Sequence, residues 1–250
     1  MKSIDLKPGL RGRSLGIGAL ALILCMLFVG VRAFAMLGPT SARGLFLLMC
    51  VAMIALPWVL LSPHGRYQMG LKAPRAAGYL AIGLGIGIAA AALCFVIGFL
   101  LFGSSADNWF VSVARSYQGQ STAGYSILQL HLTFTIVACL FSPIGEELFF
   151  RGFLQKVLEQ RLSVRASTHV EAGLFALVHL CHHGIVATAA GLVLLPASGA
   201  LWVLLMFILA WCFAWLRRAS DSVWSAVVGH AAFNATMNSF IFAFLWVHEK

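Results

Sequence analysis

Residues 78–102 read GYLAIGLGIGIAAAALCFVIGFLLF, a run of 25 positions without a charged side chain. About 20 apolar residues in a helix cross the hydrocarbon core of a bilayer, so this stretch alone reads as a membrane span. Working outward from it, comparable apolar runs cover 15–31 and 44–61 before it, and 126–145, 199–216 and 222–247 after it. A less regular stretch between 169 and 196, interrupted by His182-His183-Gly184, supplies one more. The run 146–161 is amphipathic and charged. It either extends the fourth span or folds separately after Ser142-Pro143, since proline suits a first helical position. The expected fold is an all-α polytopic membrane protein, a bundle of about seven transmembrane helices, with six and eight as the neighbouring counts.

Composition points the same way. The 250 residues are 61% hydrophobic and 10% charged, where soluble proteins carry roughly 25%. So few charges cannot coat a water-soluble fold, and so much apolar surface excludes a disordered chain. The formal charge of +9 could suggest nucleic acid, but no basic cluster is interleaved with aromatics. A lipid bilayer is the expected partner, and nucleic acid is not. The basic residues fall between the apolar runs, as topology-setting loop charges do. With the N-terminus in the cytoplasm, segments 1–14, 62–77, 146–169 and 217–221 hold thirteen of the 17 lysines and arginines, leaving Arg32, Arg43, Arg115 and Lys250 opposite. Residues 1–13 are basic and precede an apolar run, as in a signal peptide. Further spans follow and no clear small-residue cleavage site appears, so an uncleaved first span is expected. Segment 103–125 is a polar outer connection. The six cysteines lie singly in apolar stretches and read as small buried residues. No internal repeat is apparent.

Ionisable groups inside a membrane span are costly, so the few acidic residues are informative. Asp5, Asp107, Glu159, Asp221 and Glu249 fall in loops or at ends, and Glu171 is expected in a first helical turn, where a carboxylate complements the helix dipole. Glu146 and Glu147 stand apart, adjacent at the end of an apolar run and followed by Arg151. On a helix Glu147 and Arg151 pair at i,i+4, while Glu146 points about 100° away. A carboxylate free in an apolar cavity can act as a general base; the plainer reading is an interfacial charge pair. Phe175 and His179 share a helical face, as do His230 and Asn234. His179 alone could be an interhelical hydrogen-bonding group. His230 and Asn234 could donate to one oxygen, as an oxyanion hole requires, or satisfy one another. Measured from flanking charges at 1.5 Å per residue, Glu146, His179 and His230 lie roughly 13–15 Å deep from the cytoplasmic side. His131 and His64 read as structural or loop residues.

Together, Glu146-Glu147-x-x-x-Arg151, Phe175-x-x-x-His179 and His230-x-x-x-Asn234 resemble the three motifs of the CPBP family of intramembrane proteases, which includes CAAX prenyl endopeptidases and bacterial Abi-type, bacteriocin-immunity-related proteins. The resemblance covers roughly 125–247. It implies a catalytic helical core over 125–250, preceded over 1–124 by three membrane helices and the outer loop, with a catalytic cavity open to the cytoplasmic side. By carry-over, Glu146 and His179 activate a water against a peptide carbonyl, and His230 and Asn234 hold the oxyanion. Glu147 and Arg151 organise the site, and Phe175 borders the substrate. The partner is then a protein or peptide substrate at the membrane. The family has been described both as metalloproteases and as glutamate-dependent proteases. H-E-x-x-H is absent, and a metal-free mechanism is favoured. A divalent metal such as zinc would fall to Glu146, His179 and His230, with His182 and His183 nearby. A bacterial plasma membrane is the expected location. A proton-linked transporter or a non-proteolytic membrane scaffold are the competing functions.

Overall fold

The computed structural model describes residues 4–10, 16–118, 124–188 and 190–246. The expectations resting on Lys2, Arg11, Arg13 and Lys250 lie outside the described residues. The chain forms α1 (Ile17–Leu37), α2 (Gly44–Leu60), a short α3 (Pro63–Gln68), α4 (Gly78–Phe102), α5 (Trp109–Gln118) and α6 (Ile127–Glu147). A π-helical segment (Leu148–Leu154) and α7 (Gln155–Leu158) continue α6, and α8 (Val164–Val178) follows. A hairpin of β1 (Ile185–Thr188) and β2 (Gly191–Leu194) leads to α9 (Pro196–Ser220) and α10 (Trp224–Phe240), which runs on as a second π segment (Ile241–Leu245). Among the described residues, five helical stretches are long and apolar enough to cross a membrane: Ile17–Leu37, Thr40–Leu60, Gly78–Phe102, Ile127–Leu158 and Pro196–Ser220. The protein is an all-α polytopic membrane protein with one small hairpin. Of the two remaining expected spans, α10 has 17 helical residues before its π segment, and α8 has 15.

The run after Ser142-Pro143 extends the fourth span. Pro143 removes the N–H that Cys139 O would accept, yet the helix passes through it. The π turn then carries the chain on to Leu158 without a break. The stretch between 169 and 196 is not one helix. Helix α8 stops at Val178, and Gly184 and Gly191 adopt φ of +111° and +118°, which favour glycine. Between them the β-branched Ile185, Val186 and Thr188 suit a strand. The connection between α4 and α6 contains the helix α5. Its start is fixed by Asn108 Oδ1, which accepts from Phe110 N at 2.9 Å, and by Trp109 Nε1, which donates to Cys94 O at 3.1 Å.

Small residues let α4 and α10 meet at backbone distance, as interfaces within membranes require. A Cβ at Gly83 would overlap the Ser225 carbonyl oxygen, and one at Gly87 would overlap that of Gly229, one residue before His230. Two apolar clusters fill the bundle. One centres on Phe149, Phe150, Phe153 and Phe175, the other on Trp109, Trp202, Phe213 and Phe233. The bundle has two distinct ends. At the first, Leu6 bridges Leu61, Arg75 N donates to Ser220 O, Val223 N donates to Gly70 O, and Lys72 pairs with Asp221 at 2.5 Å. At the opposite end, Arg43 Nη1 donates to Ser116 O at 2.9 Å and Ser198 Oγ to Asp107 Oδ1 at 3.1 Å.

Candidate active site

Glu146, Glu147 and Arg151 sit where α6 passes into its π segment, a rare geometry that recurs at functional sites. All three are fully buried. Ser142, one turn before Glu146, donates Oγ to Glu146 Oε1 at 2.7 Å. The same oxygen accepts from Arg32 Nη1 of α1 at 2.9 Å. Glu146 Oε2 has no hydrogen-bond partner and lies 4.0 Å from His179 Nε2. His179 Nδ1 is 2.6 Å from Phe175 O. A carbonyl can only accept, so the proton sits on Nδ1 and Nε2 presents its lone pair. A buried carboxylate oxygen and an imidazole nitrogen therefore lie 4.0 Å apart, with Arg32 Nη2 3.4 Å from the same nitrogen.

The neighbouring carboxylate belongs to another set of contacts. Glu147 Oε1 accepts from Arg151 Nη1 at 3.1 Å and lies 2.8 Å from His230 Nδ1. Arg151 also faces Glu171 Oε1 at 3.4 Å, an ion pair outside hydrogen-bonding geometry, and its guanidinium lies 3.8 Å from the centre of the Phe175 ring. Phe213 stacks on His230 with ring centres 5.9 Å apart. Glu171 is thus not a first-turn residue. Helix α8 begins at Val164 behind the cap of Ser163, which puts Glu171 in its middle and buries it against Arg151.

A cavity of about 440 Å³ lies over these residues. Arg32, Ser142, Phe175, His179, His182 and His230 line its floor, whereas Glu146 lies just behind that lining. Its walls are mainly apolar, with Phe134, Phe141, Trp202, Met206 and Phe233 among them. Asn234 also lines it, but its Nδ2 donates to Ala138 O of α6 at 2.9 Å. His230 and Asn234 share one face, as their spacing predicts, and neither is satisfied by the other.

Arg32 is the residue that sequence reasoning missed. It was expected outside; instead it is buried, and besides Glu146 it reaches His182 Nε2 at 3.0 Å from Nε and 2.6 Å from Nη2. His182 stacks on His179 with centres 5.6 Å apart and belongs to the cavity floor. His183 turns away, its Nδ1 2.8 Å from Ser112 Oγ. His131 stacks on Phe242, and His64 lies in α3 beside Gln68. What the site offers a metal is limited. Glu146 Oε1 is held by Arg32 and Ser142, His230 Nδ1 is held by Glu147, and Arg32 Nη2 lies 3.4 Å from His179 Nε2. A cation bound by Glu146 and His179 would share their space with a fixed guanidinium. Among the described residues, no group of three or more His, Cys, Asp or Glu side chains has metal-binding geometry.

Fold and site together define a polytopic membrane protein with a buried carboxylate–histidine centre at the floor of an apolar cavity. A family model described as Type II CAAX prenyl endopeptidase Rce1-like matches residues 128–236. That segment holds all three motifs, and over it the chain is similar to this group of membrane endopeptidases. No curated protein and no solved structure matches the chain.

Proposed function

We propose that the protein hydrolyses a peptide bond of a membrane-associated protein or peptide by a metal-free, glutamate-dependent mechanism. The observation that carries this reading is the pair Glu146 Oε2 and His179 Nε2, 4.0 Å apart, two acceptors aimed at one small volume beneath the cavity. A water held there donates one hydrogen to each. Glu146 takes a proton as the water oxygen attacks the scissile carbonyl, and general-base help of this kind contributes roughly 10²–10⁴-fold. The carbonyl oxygen becomes an oxyanion that His230 and Asn234 face from α10. Glu147 holds His230 through Nδ1, leaving Nε2 as the ring nitrogen for the oxyanion, to which it donates when the ring carries both protons. Collapse of the intermediate breaks the C–N bond, and the proton on Glu146 passes to the leaving amine. The products are one new carboxyl and one new amino terminus.

Arg32 acts through Glu146 as a positioning residue. With Ser142 it fixes Oε1, so that Oε2 is the oxygen left for water. Phe175 supports the floor, packed between Arg151 and His179. We place the N-terminus in the cytoplasm, from the basic residues gathered at its end of the bundle.

The test compares membranes containing the wild-type protein with membranes containing Glu146→Gln, mapping new peptide termini by mass spectrometry. The reading expects termini present only with wild type and insensitive to chelator, at least about 10²-fold weaker with Glu146→Gln, and an equally abundant, folded variant. Termini erased by chelator would replace the glutamate mechanism with a metal one. Identical termini in both membranes would end the proteolytic reading.

A further inference from the structure

The cavity and the basic residues occupy opposite ends of the bundle. From its floor at His179 and His230 the cavity runs past Met36, Thr133 and Val137 to Arg43, Gly44 and Ser116. These last residues lie at the turn between α1 and α2 and on α5, where Arg43 Nη1 donates to Ser116 O. Leu47 of α2 and Val137 of α6 flank this part of the cavity and are exposed on the bundle surface. The other end is closed. Leu148, Phe149, Phe150, Phe153 and Leu154 are fully buried beneath the site, as are Met69 and Val223. No cavity-lining residue comes from the loops at 62–77, 159–163 or 221–223.

That closed end carries Lys7, Arg66, Lys72, Arg75, Lys156, Arg161, Arg165, Arg217 and Arg218. Two of the charges first counted in the topology balance belong inside, because Arg32 and Arg151 are buried in ion pairs with Glu146 and Glu147. Among the described residues, the cavity end then keeps Arg43 and Arg115. All the connections are short, the condition under which lysine and arginine set orientation. A cytoplasmic basic end and a cytoplasmic cavity, both expected from the sequence, cannot hold together in one molecule.

We infer that the basic end is cytoplasmic and that the active-site cavity opens on the extracytoplasmic side, between the α1–α2 turn, α5 and the outer half of α6. This rests on the proteolytic reading for what enters the cavity. The substrate is then an apolar segment of a membrane-anchored or translocated polypeptide, presented from the outer leaflet. A peptide confined to the cytoplasm has no path to Glu146.

Single reporter cysteines test the orientation without reference to activity. Ser116→Cys marks the cavity mouth, Thr40→Cys marks the same end away from the cavity, and Leu162→Cys marks the exposed turn at the basic end. Intact cells expressing the full chain are treated with a membrane-impermeant maleimide, with the wild type as blank for its six native cysteines. The expected result is a gel shift of one adduct for Ser116→Cys and Thr40→Cys in intact cells, and for Leu162→Cys only after permeabilisation. The reverse pattern overturns the inference. So does labelling of Thr40→Cys with Ser116→Cys silent before and after permeabilisation, since the mouth would then be shut to water. Correct labelling without any wild-type-dependent terminus would leave the orientation standing and remove the proteolytic reading instead.

Discussion

Glu146 and Glu147 are adjacent in sequence and equally buried, yet they belong to different regions of the molecule. The partners of Glu146, namely Arg32, Ser142 and His179, all line the cavity. Of the Glu147 cluster, His230 lines the cavity, whereas Arg151 lies in the packed interior against Phe175 and Phe213 and pairs there with Glu171. Adjacent positions on a helix differ by about 100° in direction, and here that rotation separates a carboxylate beside space for a substrate from one enclosed in core. The lesson is that burial alone does not mark a reactive acid. What its partners border matters more.

The comparison breaks most visibly at Arg151. Its replacement by Met leaves Glu147 and Glu171 buried without their shared cation. Removing one partner of a buried ion pair costs about 3–5 kcal/mol, so Arg151→Met is expected to unfold at a much lower temperature in detergent. Adding Glu171→Gln should recover part of that loss, because one stranded charge disappears. Glu146→Gln also takes the counter-charge from the buried Arg32. The amide still accepts from Arg32 and Ser142, however, and Arg32 keeps His182. It should therefore destabilise less than Arg151→Met, which strands two carboxylates, while losing activity. If both variants lowered the unfolding temperature alike, the division into a reactive and a structural carboxylate would fail.

Arg32 sharpens the reactive side. Arg32 serves Glu146 from Nη1 and His182 from Nε and Nη2, a planar fork of separate nitrogens that the point-like ammonium of lysine does not reproduce. Hydrogen bonds to charged groups are worth about 1.5–3 kcal/mol, so Arg32→Lys is expected to lower kcat by roughly ten- to a hundredfold. KM should change little, and the unfolding temperature should fall less than in Arg151→Met, since the positive charge beside Glu146 is kept. A variant that raised KM alone would make Arg32 a substrate-binding group instead of a positioning one.

These residues also show how far the sequence could be read. Local spacing made Glu147–Arg151, Phe175–His179 and His230–Asn234 visible, because each pair lies one helical turn apart. Arg32 was not visible in that way. It stands near the end of an apolar run, where a flanking loop charge is the ordinary reading, and its partner Glu146 is 114 positions away. Ser142 lies one turn before Glu146 and could have been found by the same spacing rule. Glu171 was misplaced because α8 was started too late; Ser163, whose side chain accepts from Ala166 N, was the available signal for the true start. The bundle itself was legible from apolar run lengths. The hairpin and α5 were not, since both depend on contacts such as Gly184 against Gly199 and Trp109 against Cys94 O.

The smallest expected effect lies at the basic end, far from either carboxylate. Asp221 ends α9 with φ of +57°, a conformation that Asp and Asn tolerate better than most residues, and its side chain pairs with Lys72 at 2.5 Å. Partial burial alone would raise its pKa, but the hydrogen bond and charge of Lys72, with Arg217 and Arg75 behind, hold it below the ordinary aspartate value. A carboxyl with a lowered native pKa stabilises the fold above its unfolded pKa, and that stabilisation is lost as pH falls through the native one. Asp221 is about half exposed, so the pair is worth about 0.5 kcal/mol. Asp221→Asn keeps the turn and removes the charge. It should lower the unfolding temperature slightly at neutral pH, and the difference from wild type should vanish in acid below the native pKa. A large effect at neutral pH would mean that this exposed pair matters to the bundle as the buried Glu147–Arg151 pair does.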